Sequence, residues 1–106
     1  MFSFFKRNDE AVINVNDLDS LIGKIQLIDI REEDEYKGGS IKGAKNIPMG
    51  KILADPEKYL DKEKEYYLLC QSGARSSRLC SSLAKDWYKV INVSGGYGSY
   101  VGVNRK

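Results

Sequence analysis

The chain has 106 residues, a net charge of +2 and no histidine, so it is long enough for one domain that folds without a disulfide or a metal. Its acids and bases are balanced, with no basic stripe beside stacking aromatic residues, which argues against a nucleic-acid-binding protein. Without histidine there is no Ser-His-Asp triad, no Cys-His pair and no imidazole ligand, and with only two cysteines we predict no metal site. We also predict no other cofactor.

The sequence predicts a flexible segment over residues 1–10 and a single domain over residues 11–106. Phe2, Phe4 and Phe5 make the N-terminal end briefly apolar, but the long apolar core and the cleavage site of a signal peptide are missing. No apolar run approaches the length of a membrane span, so we expect no stable membrane anchor. Two cysteines in a chain without an export signal favour free thiols and a cytoplasmic location.

Strands and helices are predicted to alternate along the domain, with apolar runs as strands and periodic segments as helices. The predicted strands cover residues 11–15, 25–30, 44–47, 65–69 and 89–93. The first predicted helix follows Asn16. The others cover residues 32–36, residues 49–60 with a break near Asp55 and Pro56, residues 75–87, and a last turn within 97–102. Alternation of this kind indicates an α/β fold with a mostly parallel sheet that is covered on both faces. Ligands of such folds bind outside the carboxyl ends of the strands.

Two of the predicted helices carry side-chain predictions of their own. Asn16 is placed as the N-cap of the first helix. On the last long helix, Cys80 and Trp87 fall on the apolar face. Cys80 is therefore interpreted as a core residue, and the alternative is a redox role in resolving an oxidised Cys70.

The most informative segment is the loop that follows the apolar strand over 65–69. That strand ends at Cys70, and a helix begins at Arg75 or Ser76. The unpaired N–H groups and the positive dipole of a helix N-terminus stabilise a thiolate and bind anions. We predict that Cys70 is an activated nucleophile whose side chain faces the loop rather than the core.

Arg75 is a cation at the positive end of a helix, which is an unfavourable place for it. Pairing with a bound anion or with a nearby carboxylate would compensate for this placement, and the sequence leaves both explanations open. Arg78 lies one turn further along the helix, and a solvated surface charge explains it as well as any functional role does.

Three groups of residues stand in an order and spacing that is more specific than any one group. They are Asp29-Ile30-Arg31 with Glu35-Tyr36, Gly39, Ile41, Gly43-Ala44 and Asn46-Ile47-Pro48; the loop from Cys70 to Ser76; and Gly95-Gly96. With these residues the chain resembles the single-domain rhodanese (sulfurtransferase) family over roughly residues 11–101. The family often has His where this chain has Ser40, a position outside the catalytic loop.

The resemblance implies a rhodanese-like fold, with a central, mostly parallel sheet of about five strands and helices on both faces. It also implies that Cys70 is the nucleophile that carries the sulfur. The loop that holds the transferred sulfur and its anion would consist of Gln71, Ser72, Gly73, Ala74, Arg75 and Ser76. Asp29 and Arg31 would be structural and electrostatic supports at the end of a neighbouring strand.

These observations favour a thiosulfate sulfurtransferase. Cys70 would take a sulfane sulfur from thiosulfate or a persulfide donor and pass it to cyanide or to a thiol acceptor, either small or on a protein. A cysteine phosphatase is one alternative, but the four residues from Gln71 to Ala74 make a shorter loop than phosphatases have. A rhodanese-like sulfur carrier or protein-binding module with little turnover of its own is the other alternative.

Overall fold

The computed structural model describes residues 11–106 and shows a five-stranded sheet with helices on both faces. The strands are β1 (Ala11–Asn14), β2 (Gln26–Asp29), β3 (Ala44–Asn46), β4 (Glu65–Leu69) and β5 (Lys89–Ser94). The α-helices are α1 (Glu33–Lys37), α2 (Met49–Ala54), α3 (Pro56–Tyr59) and α4 (Ala74–Lys85). Short 3₁₀ turns cover Val15–Asp17, Asp19–Leu21 and Tyr97–Ser99. The predicted flexible segment 1–10, with Phe2, Phe4 and Phe5, lies outside the described residues.

The strands of the sheet are parallel and follow the order β1-β5-β4-β2-β3, which confirms the predicted fold. The register places Asp29 of β2 beside Leu69 of β4, and Asn92 of β5 beside Leu68 of β4. The carboxyl ends of the three central strands therefore meet at one end of the sheet, around the residue that follows β4. This is where parallel sheets usually bind their ligands.

Apolar side chains pack on both faces of the sheet, because successive residues of a strand point to opposite sides. On β4, Leu68 packs with Leu79 and Leu83 of α4. Its neighbour Leu69 packs in the opposite cluster with Leu18, which lies between the first two 3₁₀ turns. Burying one such leucine contributes about 1.5–3 kcal/mol, so the two clusters fix the helices to the sheet and position the loops at its end.

The predicted helix after Asn16 is wrong, because this segment forms two 3₁₀ turns instead of one α-helix. Asn14 caps the first turn, since its side-chain oxygen accepts the Asn16 N–H at 2.9 Å. The Asn16 amide instead holds a distant segment, donating to the Ser99 carbonyl at 3.0 Å and accepting the Val101 N–H at 2.9 Å. A segment this short has little helical stability of its own, so these tertiary contacts decide its conformation.

Trp87 does not lie on the apolar face of the last helix, contrary to the prediction. The helix α4 ends at Lys85, and Trp87 has a φ of 68° in the left-handed region. The Tyr88 N–H returns to the Leu83 carbonyl at 3.2 Å, which closes the end of the helix. This reversal leaves the Trp87 residue 65% exposed and gives the core position to Tyr88.

The remaining helices lie where the sequence predicts them. The helix α1 begins with a capping box between Glu32 and Glu35 and ends at Gly38. Pro56 stands at the start of α3 and separates it from α2, which explains the predicted break. Among residues 11–106, no helix combines the length and the apolar character that crossing a membrane requires.

Candidate active site

Cys70 follows β4 directly, at the end of the sheet where the central strands terminate. Its side chain is fully buried and belongs to the apolar cluster beneath α4, together with Leu68 and Leu79. The prediction that Cys70 lies outside the core is therefore wrong. Residues two apart on an extended chain share a face, so Cys70 follows Leu68 onto the core side of the sheet.

The loop nevertheless reaches the buried sulfur. The N–H groups of Gly73 and Ser76 donate to Cys70 Sγ at 3.1 Å and 3.4 Å. The Ser76 Oγ lies 3.3 Å from Sγ, in a contact where either group can donate. The two amides belong to the N-terminal end of α4, where N–H groups have no partner within the helix. The sulfur therefore accepts hydrogen bonds from N–H groups that have no partner within the helix.

Two opposing effects act on the pKa of Cys70. Burial raises it, because the buried site disfavours the charged form. Hydrogen bonds from the Ser76 hydroxyl and from the amides of Ser76, Gly73 and Ser72 lower it, and together they bring the pKa of Cys70 below its ordinary value. The thiolate is therefore favoured relative to a free cysteine, in the direction that the sequence predicts.

Two glycines with a left-handed backbone shape the loop around the sulfur. Gly73 has a φ of 98° and turns the chain into α4. Gly96 has a φ of 65°, and a Cβ atom there would collide with the backbone carbonyl groups of Cys70 and Gln71. Beside it, the Tyr97 N–H donates to the Cys70 carbonyl at 2.8 Å. The Gly95-Gly96 turn thus closes against the back of the Cys70 loop.

Ser76 is held by a buried polar side chain that the sequence analysis does not single out. Its hydroxyl donates to Asn92 Oδ1 at 2.5 Å and lies 3.2 Å from the Gly73 carbonyl oxygen. Asn92 is 6% exposed and lies in the middle of β5. An amide inside an otherwise apolar strand is a signal that could have identified it, because burying such a group is costly without a hydrogen-bond partner.

Asp29 and Arg31 form a buried ion pair at the end of β2, next to the Cys70 loop. The Arg31 guanidinium donates from Nη2 to Asp29 Oδ2 at 2.8 Å and from Nη1 to Gln71 Oε1 at 2.9 Å. The Ser40 hydroxyl, at the position where the family often has His, donates to Asp29 Oδ2 at 2.7 Å. The pair is therefore tied to the loop through Gln71, and Ser40 supplies its own donor to the carboxylate.

Arg75 forms an ion pair with Glu35 of α1. Its Nη1 and Nη2 atoms donate to the two carboxylate oxygens of Glu35 at 2.9 Å and 3.0 Å. The hydrogen bonds with Arg75 lower the pKa of Glu35 to about 2, and the same contact raises the pKa of Arg75. Of the two partners that the sequence leaves open for Arg75, the structure has the carboxylate. Arg78 is exposed.

A protein-family model described as a rhodanese-like domain matches residues 14–102 of this chain. The chain belongs to the rhodanese-like family. That assignment agrees with the order of the three residue groups in the sequence and with the parallel sheet around Cys70.

Two known proteins similar to this rhodanese-like domain carry names that refer to sulfur chemistry. One, from Bacillus subtilis (strain 168), is named "Putative sulfurtransferase YtwF" and is 43% identical over 74% of this chain and 76% of its own length. Another from the same organism is named "Putative sulfur carrier protein YrkF" and is 33% identical over 74% of this chain. The chain spans only 42% of the length of that second relative.

The fold of the rhodanese-like domain has a close match among solved structures. The crystal structure of a rhodanese-like domain protein from Staphylococcus aureus superposes with a TM-score of 0.79 at 26% identity. The match covers 91% of this chain and 96% of that chain. The five-stranded architecture is therefore the one that this family uses.

The predicted loop residues differ in what they contact. Gly73 and Ser76 donate to the sulfur, and the Ser72 amide also lowers the pKa of Cys70, while Gln71 is held by Arg31. Ser72 and Ala74 are exposed, and the Ala74 N–H donates to Ser72 Oγ at 3.3 Å. Within residues 11–106, no group of three or more Cys, Asp or Glu side chains is arranged to hold a metal ion.

Proposed function

We propose that this rhodanese-like domain transfers sulfane sulfur through a persulfide on Cys70. The observation that carries the proposal is the environment of Cys70 Sγ, which has the N–H groups of Gly73 and Ser76 and the Ser76 hydroxyl within 3.4 Å. Donors of this kind stabilise the thiolate, which is the nucleophilic form of cysteine. A thiol that is already ionised needs no general base, which fits a chain without histidine.

In the first step, the Cys70 thiolate attacks the outer sulfur of the donor. A new S–S bond forms while the donor's S–S bond breaks, and the electron pair of that bond leaves with sulfite or with the donor thiolate. In the second step, a thiolate or cyanide acceptor attacks the outer sulfur of the Cys70 persulfide, and Cys70 leaves as a thiolate. Charge leaves Sγ in the first step and returns in the second, so donors fixed around Sγ stabilise the thiolate that starts and ends the cycle.

The charges near the loop favour a thiol persulfide over thiosulfate as the cellular donor. Arg75 is the cation nearest to the loop in sequence, yet both of its terminal nitrogens are bonded to Glu35. A dianion gains little from a cation that a carboxylate already neutralises, whereas a persulfide of lower charge does not depend on a free cation. Thiosulfate is then an assay substrate that has to compete with Glu35 for Arg75.

We place the acceptor among cellular thiols, either small or on a protein, and the reaction in the cytoplasm. Both cysteines are free thiols, which fits a reducing compartment. Both kinds of acceptor react through a thiolate that attacks the outer sulfur of the Cys70 persulfide. The same loop can therefore serve small and protein acceptors.

The experiment is intact mass spectrometry after incubation with thiosulfate or with a glutathione persulfide. The expected result is a mass gain of one sulfur atom on Cys70, which is removed when cyanide or a thiol is added. Cys80→Ala is the matched control, because it removes the other buried thiol and should load fully. A gain located on Cys80, or retained in Cys70→Ser, would refute the proposal.

A sulfur carrier or protein-binding module with little turnover is the second candidate, and one observation favours it. Cys70 is fully buried, so a donor has to displace part of the loop before it reaches Sγ. A carrier would load one sulfur per protein but release it only to a specific partner. Stoichiometric loading without repeated turnover on small acceptors would therefore favour the carrier over the enzyme.

A further inference from the structure

The Ser76 hydroxyl has one hydrogen to donate and three acceptors within reach. Its Oγ lies 2.5 Å from Asn92 Oδ1, 3.2 Å from the Gly73 carbonyl oxygen and 3.3 Å from Cys70 Sγ. All four residues are buried, so these groups have to satisfy one another. The Gly73 carbonyl already accepts the Ser77 N–H at 3.0 Å. Asn92 and Cys70 are therefore the main competitors for the Ser76 hydrogen.

While Cys70 is an uncharged thiol, the Ser76 hydroxyl donates its hydrogen to Asn92 Oδ1. A separation of 2.5 Å is at the short end for a hydrogen bond between two oxygens, so the hydrogen has to lie between them. The Cys70 S–H can then donate to the free lone pair of Ser76 Oγ. In this arrangement each buried polar group of the chain Cys70, Ser76 and Asn92 has a partner.

When Sγ carries a negative charge, a Ser76 hydroxyl that donates to Asn92 destabilises the thiolate. Ser76 Oγ would present lone pairs to the thiolate unless its hydrogen turned towards Sγ, where it would form a charge-assisted bond. That turn takes the donor away from Asn92 Oδ1 and leaves a buried acceptor unsatisfied. The Asn92 side chain carries both an acceptor and a donor. It can therefore rotate its amide so that the NH₂ group donates to Ser76 Oγ, which restores the hydrogen bond between the two side chains.

We propose that Asn92 is a positioning residue for sulfur transfer, which holds the Ser76 hydrogen while Sγ is uncharged and returns it to Sγ when Sγ becomes anionic. The inference rests on the proposed function, in which Sγ alternates between these two states. Sγ is a thiolate before the first step, the uncharged inner sulfur of the persulfide between the steps, and a thiolate again after the second. Asn92 acts only through Ser76, since the bond that places it in the site runs to Ser76 Oγ.

Charged groups also face the Cys70 loop and contribute to its titration. They are Arg75 on α4, Glu35 on α1, and the buried pair of Asp29 and Arg31 at the end of β2. From β5 the neighbour of Ser76 is the uncharged amide of Asn92. Replacing Ser76 or Asn92 by alanine leaves all four charges in place. A difference between such variants therefore measures the hydrogen bonds and not the surrounding charge.

The test measures the pH midpoint of Cys70 alkylation by iodoacetamide in the wild type, Ser76→Ala, Asn92→Ala and the double variant. Ser76→Ala should raise the midpoint, because a bond that stabilises the thiolate is lost. Asn92→Ala should lower it by about half a pH unit or more, which is the net worth of a weak hydrogen bond. In the Ser76→Ala background, Asn92→Ala should have no further effect, because the hydroxyl through which it acts is gone.

The proposal is overturned by a rise or no change in the midpoint of Asn92→Ala, or by an equal shift in both backgrounds. Ser94→Ala is the matched control, since Ser94 lies two residues along β5 and donates to the Ile13 carbonyl. It should keep the wild-type midpoint. If Asn92→Ala does not fold, Asn92→Asp carries the test, because a carboxylate only accepts. It should raise the midpoint more when Ser76 is present than in Ser76→Ala, and an equal rise overturns the proposal.

Sulfur loading of the same proteins from thiosulfate, followed by mass against pH, separates this inference from the proposed function. If the pH dependence of sulfur loading in each variant shifts in the same direction as its alkylation midpoint, the result supports both the proposed function and the role of Asn92. Normal loading on Cys70 without coupling between Ser76 and Asn92 refutes only the role of Asn92. The predicted coupling in alkylation, with no sulfur found on Cys70, refutes the sulfur transfer and with it the catalytic purpose of Asn92, although the hydrogen bond itself is then established.

Discussion

The two cysteines of the domain are equally buried but lie in different parts of the same secondary-structure unit. Cys70 and Cys80 are both free thiols with no exposed surface, and both pack in the cluster beneath α4. Cys80 lies in the middle of α4, where backbone N–H groups bond to carbonyl groups one turn earlier. Cys70 precedes that helix, where the N–H groups of Gly73 and Ser76 point at Sγ.

The difference shows that burial alone does not determine how a thiol behaves. Burial by itself raises the pKa of a cysteine and makes it a small apolar side chain. At Cys70 the hydrogen bonds from the start of α4 outweigh that effect, and the pKa lies below its ordinary value. Position relative to the start of the helix therefore determines whether a cysteine at this depth receives hydrogen bonds from unpaired helix N–H groups.

The largest expected effect comes from replacing each cysteine in a separate variant. Cys70→Ser should lower sulfur transfer by at least about a thousandfold, because a serine hydroxyl is not ionised at neutral pH and cannot carry a persulfide. Cys80→Ala should keep most of the activity and lose about 1 kcal/mol of unfolding free energy through a small cavity. Thiosulfate:cyanide transfer and urea unfolding measure the two quantities. An inactive but folded Cys80→Ala would show that both cysteines take part.

The second prediction concerns the buried ion pair of Asp29 and Arg31 next to the Cys70 loop. Asp29→Asn should cost about 3–5 kcal/mol in unfolding free energy, because it leaves the buried Arg31 without its counter-charge. The loss should also loosen Gln71, which Arg31 holds. Asp17→Asn makes the same chemical change on an exposed residue and should stay within about 0.5 kcal/mol of the wild type. Equal effects of the two substitutions in urea unfolding would contradict the supporting role of Asp29.

The features that the sequence predicts correctly are those encoded locally. The alternation of strands and helices depends on runs of adjacent residues, and so does the sequence of strand, Cys70, glycine and helix start. A helix N-terminus supplies N–H groups wherever it occurs, so the lowered pKa of Cys70 follows without knowledge of the packing. The incorrect predictions are Asn16 as a cap, Trp87 on the apolar face and Cys70 outside the core. They concern residues whose roles depend on distant contacts, on the end of a helix or on which face of the sheet is occupied.

The parts of the site that the sequence does not reveal depend on the strand register and on helix packing. Asn92 meets Ser76 because α4 packs against β5, and the two residues are 16 positions apart. Arg75 meets Glu35 across 40 positions, so the sequence leaves open whether Arg75 pairs with a carboxylate or with a bound anion. The burial of Cys70 depends on its face of β4, which the apolar run before it does not specify, because such runs are buried on both sides.

A third prediction tests whether the Glu35 ion pair tunes the Cys70 loop for donors of low charge. Glu35→Gln should lower the KM for thiosulfate by about three- to tenfold, because Arg75 would keep its charge without a competing carboxylate. The KM for a glutathione persulfide should change less. Asp34→Asn on the same helix is the matched control and should leave both KM values unchanged. An unchanged thiosulfate KM in Glu35→Gln would show that Arg75 shapes the loop instead of serving the donor.

The smallest expected effect is the contribution of the Cys70 thiolate to folding stability. The pKa of Cys70 is lower in the folded chain than its ordinary value, so the folded state releases this proton more readily than the unfolded state. A lowered acid pKa stabilises the protein fully above the unfolded pKa, and that contribution is lost as the pH falls through the folded pKa. The free energy of unfolding of the wild type, relative to Cys70→Ser, should therefore rise between neutral pH and about pH 9, by at most about 1.4 kcal/mol per pH unit.

Urea unfolding at several pH values measures this difference, with Cys70→Ala as the control. The two variants lack the same titrating thiol but differ in size and polarity, so their curves should be offset from each other and parallel in pH. A wild-type curve parallel to both would mean that the thiol titrates alike in the folded and unfolded chain. In that case the donors at the start of α4 would only offset the burial of Cys70, and the contrast with Cys80 would be one of position without a difference in thiolate stability.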